Sequence, residues 1–487
     1  MSARVPAPLE GRRAVIIGGG ISGLTAGYEL ARRGARVTLL ERREVLGGLA
    51  RACPTESRDL EAYYHFICRG DSALLSLLDE LGLGAHVEWR PALTSYYVRG
   101  RLYPFTTPAE ILRFTPLPLA DRLRFGRHVA RCRRMTDWEP LDGLTAEAWL
   151  RREAGPRVYE LLWRPLLETK FGSYAGQVSA PWIWHRLWRA SRSRKNLLRP
   201  EDFGCLREGS EVLLRTLAAR IRESGGEVLT GTPATGLVVR GGQVAAVTTA
   251  AGELPADLVV AAAPLPELAR LLPAELEDWR RELLSVDFLG VRCLRLRLDR
   301  AVTGSYWVNA NDPRVPFGGF IEYSHLNPAA EPGGAVVYVP LYMSREDPRF
   351  TMAEADLSGE LVRGLQVVSP ALREAQVREA RLVTDDYAQA ICPPGFAQRV
   401  PPLAAPVPGL YLLDSTQLYP SDRCLSGMIA LARQLGAQAS KPVSASTPKP
   451  PPPASSPTPR PRRGWPPSLG SPGTPTSAAP PGVPPRA

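Results

Sequence analysis

The residues best placed to do chemistry sit near the start of the chain, in "VIIGGGISGL" at positions 15–24. Gly18, Gly20 and Gly23 keep a G-x-G-x-x-G spacing between an apolar run, 14–17, and a stretch with helical periodicity. In a strand, turn and helix that meet a pyrophosphate, the first glycine permits the tight turn and the second lets backbone approach the phosphates. The third lets the helix pack on the sheet, and the helix's first amides, from about Ser22, face the anion. Glu41 closes the next apolar run, 37–40. There its carboxylate can accept hydrogen bonds from a ribose diol and repel a 2′-phosphate, which leaves FAD and NAD as candidates ahead of NADP. The continuation "ERREVLGGLARA" adds the basic pair Arg42 and Arg43 and a second glycine turn, Gly47-Gly48. That turn suits a longer dinucleotide whose ribityl and flavin portions extend along the chain; a plain loop is the alternative.

A flavin accepts a hydride itself, so the protein need only shape a pocket and position a substrate, and no catalytic triad is required. The densest polar cluster is "YWVNANDPRVPFGGFIEYSHLN", which holds Tyr306, Asn309, Asp312, Glu322, Tyr323 and His325. Glu322 follows Phe320-Ile321 and is expected either in the substrate cavity, taking a proton as hydride leaves, or at an exposed strand end. Tyr306 and His325 are the accompanying catalytic candidates. His65 in "EAYYHFICRGD" reads as a packed histidine, with a flavin-facing place as the alternative. The run "WIWHRLWRASRSRK" could meet anionic substrates or lipid headgroups through its tryptophans and its arginines, or snorkel on a surface.

The elements that must hold these residues follow from periodicity. Residues 14–17 read as a buried strand, 22–33 as a helix stopped at Gly34, and 37–40 as a second strand: one unit of a doubly wound sheet. The rhythm returns in "LLRTLAARIRESGGEVLTGT" and in "GGQVAAVTTAAGELPADLVVAAAP", then in the short buried strand of "GLYLLD" ahead of a final small-residue helix. Between them, residues from about 100 to 200 carry helical spacing rich in Trp, Arg and Leu. "VRCLRLRLD" looks like a half-exposed strand with its arginines outward.

Taken together, the opening motif, "ERREVLGGLARA", "REGSEVLLRTLAARIRESGGEV", "LLWRPLLETKFGSYAGQVSAPWIW" and "GLYLLDSTQLYPSDRCLSGMIALA" resemble the flavin-dependent amine oxidase and protoporphyrinogen oxidase superfamily, in its bacterial protoporphyrinogen-oxidase-like branch of NAD(P)/FAD-dependent oxidoreductases. The resemblance covers residues 12 to 437. It implies FAD held at Gly18, Gly20, Gly23, Glu41, Arg43, Gly47 and Gly48, with Ala234 at the adenine and Asp414 near the ribityl and pyrophosphate; Ser22 and Arg42 complete the candidate cofactor residues, and with no clear Cys or His attachment site the FAD is expected to be noncovalent. The sequence departs from the family pattern at Glu208-Gly209, at Ala234, where Val is usual, and at Leu413-Asp414, where Gly-Asp is usual. The implied fold is α/β: a discontinuous Rossmann-like FAD-binding domain (12–95, 201–275 and 401–440) with an inserted α/β substrate domain (helical 96–200, sheet 276–400) and a disordered tail, 441–487.

The implied function is FAD-dependent oxidation or desaturation of a small or isoprenoid-like substrate. The alternatives are a redox-neutral sugar-nucleotide mutase resembling UDP-galactopyranose mutase, and a flavoprotein without turnover that partners envelope or polysaccharide assembly. Net charge is +11, but six basic and no acidic residues lie from Lys441 onward, so the first 440 residues are only mildly basic and no nucleic-acid partner is expected. Seven scattered cysteines suit reduced thiols in a cytoplasmic protein without a structural metal, and peripheral membrane contact is the one membrane role left open. The last 47 residues hold 17 of the 49 prolines and almost nothing to bury. Deleting 441–487 is expected to leave FAD content and Tm unchanged; a melting point well below that of the full chain in thermal unfolding would show that the segment packs.

Overall fold

In the computed structural model, residues 8–55, 59–192 and 199–440 are described. The Pro-rich segment, together with Arg194 and Lys195 of the tryptophan-rich run, lies outside them. Five parallel strands form the first sheet, in the order Leu410–Leu412, Leu258–Ala261, Arg13–Ile17, Arg36–Leu40, Glu227–Leu229. Both faces of this sheet are buried, which is why its strands read as continuous apolar runs. Ala14, Ile16, Val37, Leu39, Leu258 and Val260 point toward the helices Ile21–Ala31, Glu211–Glu223 and Leu425–Ala439. Val15, Ile17, Leu40, Val259 and Ala261 face the helix Leu265–Leu271 and a three-stranded antiparallel sheet that starts at Gly236–Arg240. The helix expected over 22–33 is thus observed one residue earlier, ending at Ala31.

A second, mixed sheet of seven strands runs Val377–Ala390, Phe288–Leu298, Ala335–Met343, Gly319–Glu322, Trp307–Asn311, Thr94–Val98, Arg101–Pro104. Thr94–Val98 and Arg101–Pro104 complete one edge of this sheet, so the domain boundary expected at 95/96 falls inside the strand Thr94–Val98. From Pro108 to Arg192 the chain is mainly helical, and Trp149, Trp163, Trp182 and Trp184 fill the core of this region. The chain entering and leaving this stretch is stitched together by antiparallel pairing of Val87–Ala92 with Glu201–Leu206. Among the described residues, no helix is long and apolar enough to cross a membrane.

Two sequence expectations are corrected here. The arginines of "VRCLRLRLD" are not outward: Phe288–Leu298 lies between two partner strands, and Arg292, Arg295 and Arg297 are buried. Each guanidinium finds acceptors inside the protein, although Nε of Arg292 and of Arg295 is left without one. Arg295 donates to Glu379 at 2.9 Å, Arg297 to Glu331 at 2.7 Å, and Arg292 to the carbonyls of Arg349 and Met352. Partners from other elements, which local alternation cannot reveal, make that burial tolerable.

Glu322 is neither exposed nor in a cavity. It is 0% exposed, and its carboxylate accepts the backbone N–H groups of Val302 (2.9 Å) and Thr303 (2.8 Å) and the Thr303 hydroxyl. His325 lies beside it, 3.4 Å away, and Nε2 also meets the Thr303 carbonyl. Its hydrogen bond to the Glu322 carboxylate favours the charged imidazole, outweighs the opposing effect of burial and raises the His325 pKa. The pair pins a loop. Glu322→Gln would turn an amide N–H₂ toward a backbone donor, so unfolding in urea is expected to show a loss of about 1–3 kcal/mol, with the rate of flavin reduction in rapid mixing unchanged.

Candidate active site

One cavity of about 720 Å³ extends from the glycine turn to the seven-stranded sheet. At the turn, Gly18 has φ +104°, and a Cβ there would lie 2.3 Å from the Ala262 carbonyl oxygen. A Cβ on Gly23 would lie 1.9 Å from the carbonyl oxygen of Gly18. These two glycines are therefore demanded by the protein itself. Gly20 differs: its backbone is ordinary (φ −74°), and a Cβ would meet no protein atom closer than 3.9 Å. The space beside it belongs to the cavity, and no side chain caps the helix that Gly20 starts. A dinucleotide's phosphates fit that combination of open space and free amide dipoles.

The second glycine turn is held against the first: Gly47 N–H donates to Gly19 O at 2.8 Å. Gly47 (φ +115°) and Gly48 (φ +57°) both occupy left-handed backbone and both line the cavity. Glu41 fastens the arrangement, accepting from Gly19 N at 2.8 Å and from Arg43 N at 2.9 Å. A carboxylate has about four acceptor sites, so capacity for a ribose diol is retained. Ser22, Arg42, Ala234 and Asp414 also line the cavity. Arg42 pairs with Glu267 at 3.0 Å. Asp414 caps the turn Ser415–Leu418 by accepting from Thr416 N at 2.8 Å, and burial raises the pKa of its carboxyl.

Arg43 turns away from solvent to Asp385, and that residue was not anticipated. Asp385 also takes Arg51 Nη1 at 2.7 Å and the Tyr63 hydroxyl at 2.7 Å. It arrives from the strand Val377–Ala390, more than 300 residues along the chain, so no local motif announces it.

The expected catalytic trio is not at the cavity wall. Glu322, His325 and Tyr306 are all absent from the lining; Trp307, Asn309 and Ile321 of the same segment supply it. Tyr306 is 1% exposed, edge-on to Phe66 and Phe203, and burial pushes its phenol well above the ordinary range. His65 does line the cavity, 3.5 Å from Glu61.

The tryptophan-rich helix, Ala180–Arg192, is turned inward, which removes it as a lipid-facing surface. Trp182 and Trp184 are core residues, and Arg186 and Arg189 line the cavity on Asp422 (2.8 Å) and Asp71 (3.0 Å) respectively. Near Asp422 stand Lys170 and Arg423, neither of them foreseen. Burial pushes the Lys170 ammonium down to about 7 against the attraction of Asp422, with Arg186 and Arg423 adding to the push. Burial alone would raise the Asp422 carboxyl, but Lys170, Arg186 and Arg423 hold it well below the usual range. A compositional signal was available: the chain's 60 basic residues include four lysines, Lys170, Lys195, Lys441 and Lys449, and Lys170 is the one lysine among the described residues.

The family model for flavin containing amine oxidoreductases matches residues 21–417. The chain is 26% identical to human protoporphyrinogen oxidase over 413 residues, covering 76% of this chain and 83% of that protein. It is 28% identical over 174 residues to the 15-cis-phytoene desaturase of Narcissus pseudonarcissus, covering 31% of this chain and 30% of that one. Among solved structures, reduced UDP-galactopyranose mutase superposes with a TM-score of 0.70 at 17% identity, over 88% of this chain and 95% of the other. The cofactor is FAD.

The two kinds of glycine separate experimentally. Gly20→Ala is expected to keep the wild-type Tm of the apoprotein while FAD affinity falls more than about tenfold. Gly23→Ala is expected to lose about 1–3 kcal/mol of stability in the apoprotein itself. Fluorescence titration with FAD and thermal unfolding of both variants check the contrast.

Proposed function

Because the chain belongs to the flavin-containing amine oxidoreductase family and is a FAD-dependent oxidoreductase, we propose that it oxidises or desaturates a small or isoprenoid-like organic substrate by removal of a hydride from carbon. The observation that carries this reading is the continuity of one cavity, with the dinucleotide cradle at one end and a chamber under the seven-stranded sheet at the other. When bound, FAD supplies the hydride acceptor. Gly18, Gly20, Gly47 and Gly48 provide close backbone approach, Gly23 lets the helix close on the turn, Glu41 supplies the ribose acceptor, and Asp414 a polar group just after the closing strand. Leu166, Phe203, Trp307, Ile321 and Tyr342 give the chamber an apolar lining that excludes water and orients a carbon skeleton. With Glu322, His325 and Tyr306 away from the wall, pocket shape and the cationic residues around Asp422 carry substrate positioning.

A second reading, redox-neutral rearrangement of a sugar nucleotide, draws its support from those same cations, which match a diphosphate. The purified protein is expected to be yellow, with its flavin released on denaturation. Under anaerobic conditions, a substrate of the proposed class is expected to bleach the flavin absorbance stoichiometrically. Turnover of a sugar nucleotide seen only after prior chemical reduction would reject the oxidative reading in favour of the rearrangement.

A further inference from the structure

Three cations in the chamber share one carboxylate. Around Asp422 stand Arg186 Nη1 at 2.8 Å, Lys170 Nζ at 3.9 Å and Arg423 Nη1 at 4.0 Å. Their remaining partners are neutral. Lys170 and Arg423 both donate to the Gln389 side-chain oxygen, at 3.3 and 2.7 Å, and Arg423 also donates to the Tyr342 hydroxyl at 2.6 Å. Lys170 lies over the Trp182 and Tyr342 rings (4.7 and 4.9 Å), and Arg186 lies over Trp182 (5.0 Å). The neighbouring Arg189 is neutralised separately by Asp71, through both carboxylate oxygens at 3.0 Å. Among other described residues, the buried guanidiniums of Arg295, Arg297 and Arg51 are matched to carboxylates, while Arg292 rests on two backbone carbonyls. At the chamber wall three cations thus stand against one carboxylate, and desolvation makes that excess positive charge costly unless an anion arrives.

We infer that Lys170, Arg186 and Arg423 form an anion-binding subsite, and that the substrate is an amphipathic acid, with a carboxylate or phosphate on an apolar body. The inference rests on the reading of the cavity as the substrate chamber and adds its chemical class. An alkylammonium, by contrast, would meet three like charges. The charge also explains why the one lysine among the described residues stands here, where the other cations are arginines. A compact ammonium that can lose its proton relieves the repulsion when the subsite is empty, whereas an arginine cannot. The titratable and charged groups facing Lys170 are Asp422, Arg186, Arg423, Tyr342 and Cys392, whose thiol is pushed up by burial. An arriving anion favours the ammonium, so affinity is full at acidic to neutral pH and declines as pH rises beyond about 7.

The test is calorimetric titration of the FAD-loaded protein with decanoate, decyl phosphate, decanol, decylamine and UDP. Decanoate or decyl phosphate is expected to bind at least about tenfold more tightly than decanol, and decylamine not at all. Whichever of the two anions prevails identifies the head group. Lys170→Met and Arg186→Gln are expected to lose that preference, and Asp422→Asn to strengthen it. Lys170→Arg is expected to keep the preference and abolish the pH dependence of decanoate binding. Equal binding of acid and alcohol, or preferential binding of the amine, would overturn the inference. So would variants that leave anion affinity unchanged while lowering the flavin's reduction potential, since the charges would then serve the cofactor alone. Tight UDP binding with weak alkyl acids would keep the anion subsite, reject the amphipathic acid and transfer the reaction to the sugar-nucleotide reading. Failure of any tested substrate to bleach the flavin, with anion binding intact, would reject oxidation and leave the subsite standing.

Discussion

The rest of the molecule is arranged around a few residues of main chain that leave no room for side chains. Gly18 lies under the Ala262 carbonyl, and Gly23 lies against Gly18 itself. These approaches bring the strands Arg13–Ile17 and Leu258–Ala261 and the helix Ile21–Ala31 together at one point. The second glycine turn is added by a backbone hydrogen bond, and Glu41 then links Gly19 to Arg43. A cofactor cradle assembled from backbone is insensitive to side-chain rotamers, which suits a site whose task is to hold one large ligand in one place.

Much of that cradle is legible in the sequence because its determinants are local. Glycine spacing, the apolar runs on either side and a carboxylate at a strand end are all features of contiguous residues, and the short closing strand Leu410–Leu412 is one too. What the sequence hides is pairing at a distance. The arginines of Phe288–Leu298 alternate as a half-exposed strand would, and only Glu331 and Glu379, from other elements, make their burial possible. Glu322 follows two apolar residues, as a cavity-facing carboxylate would, yet the donors that claim it are the backbone of Val302 and Thr303, some twenty residues earlier. The tryptophans of Ala180–Arg192 carry the composition of an interface helix, but the helical region folds over them and makes them core.

The chamber under the seven-stranded sheet was the least legible part for the same reason. Lys170, Arg186, Asp422 and Arg423 come from two helices and one loop, and none belongs to a recognisable pattern. Their significance is a matter of charge balance, which is a property of a volume and not of a segment. The scarcity of lysine was the one trace of it in the sequence.

The Asp385 contacts have an entropic side. Asp385 and Glu379 lie on the same strand, Val377–Ala390, so one element grips Arg43, Arg51 and Tyr63 near one end and Arg295 and Arg297 near the other. Two arginines and a tyrosine beside the cofactor cradle therefore give up their rotamer freedom when the chain folds, not when the dinucleotide arrives. Association with FAD then meets a receptor already stiff, and the free energy of its contacts is not spent on ordering those three side chains. The long strand acts as a splint along the edge of the seven-stranded sheet, so that these side chains keep fixed places whether or not a ligand is bound.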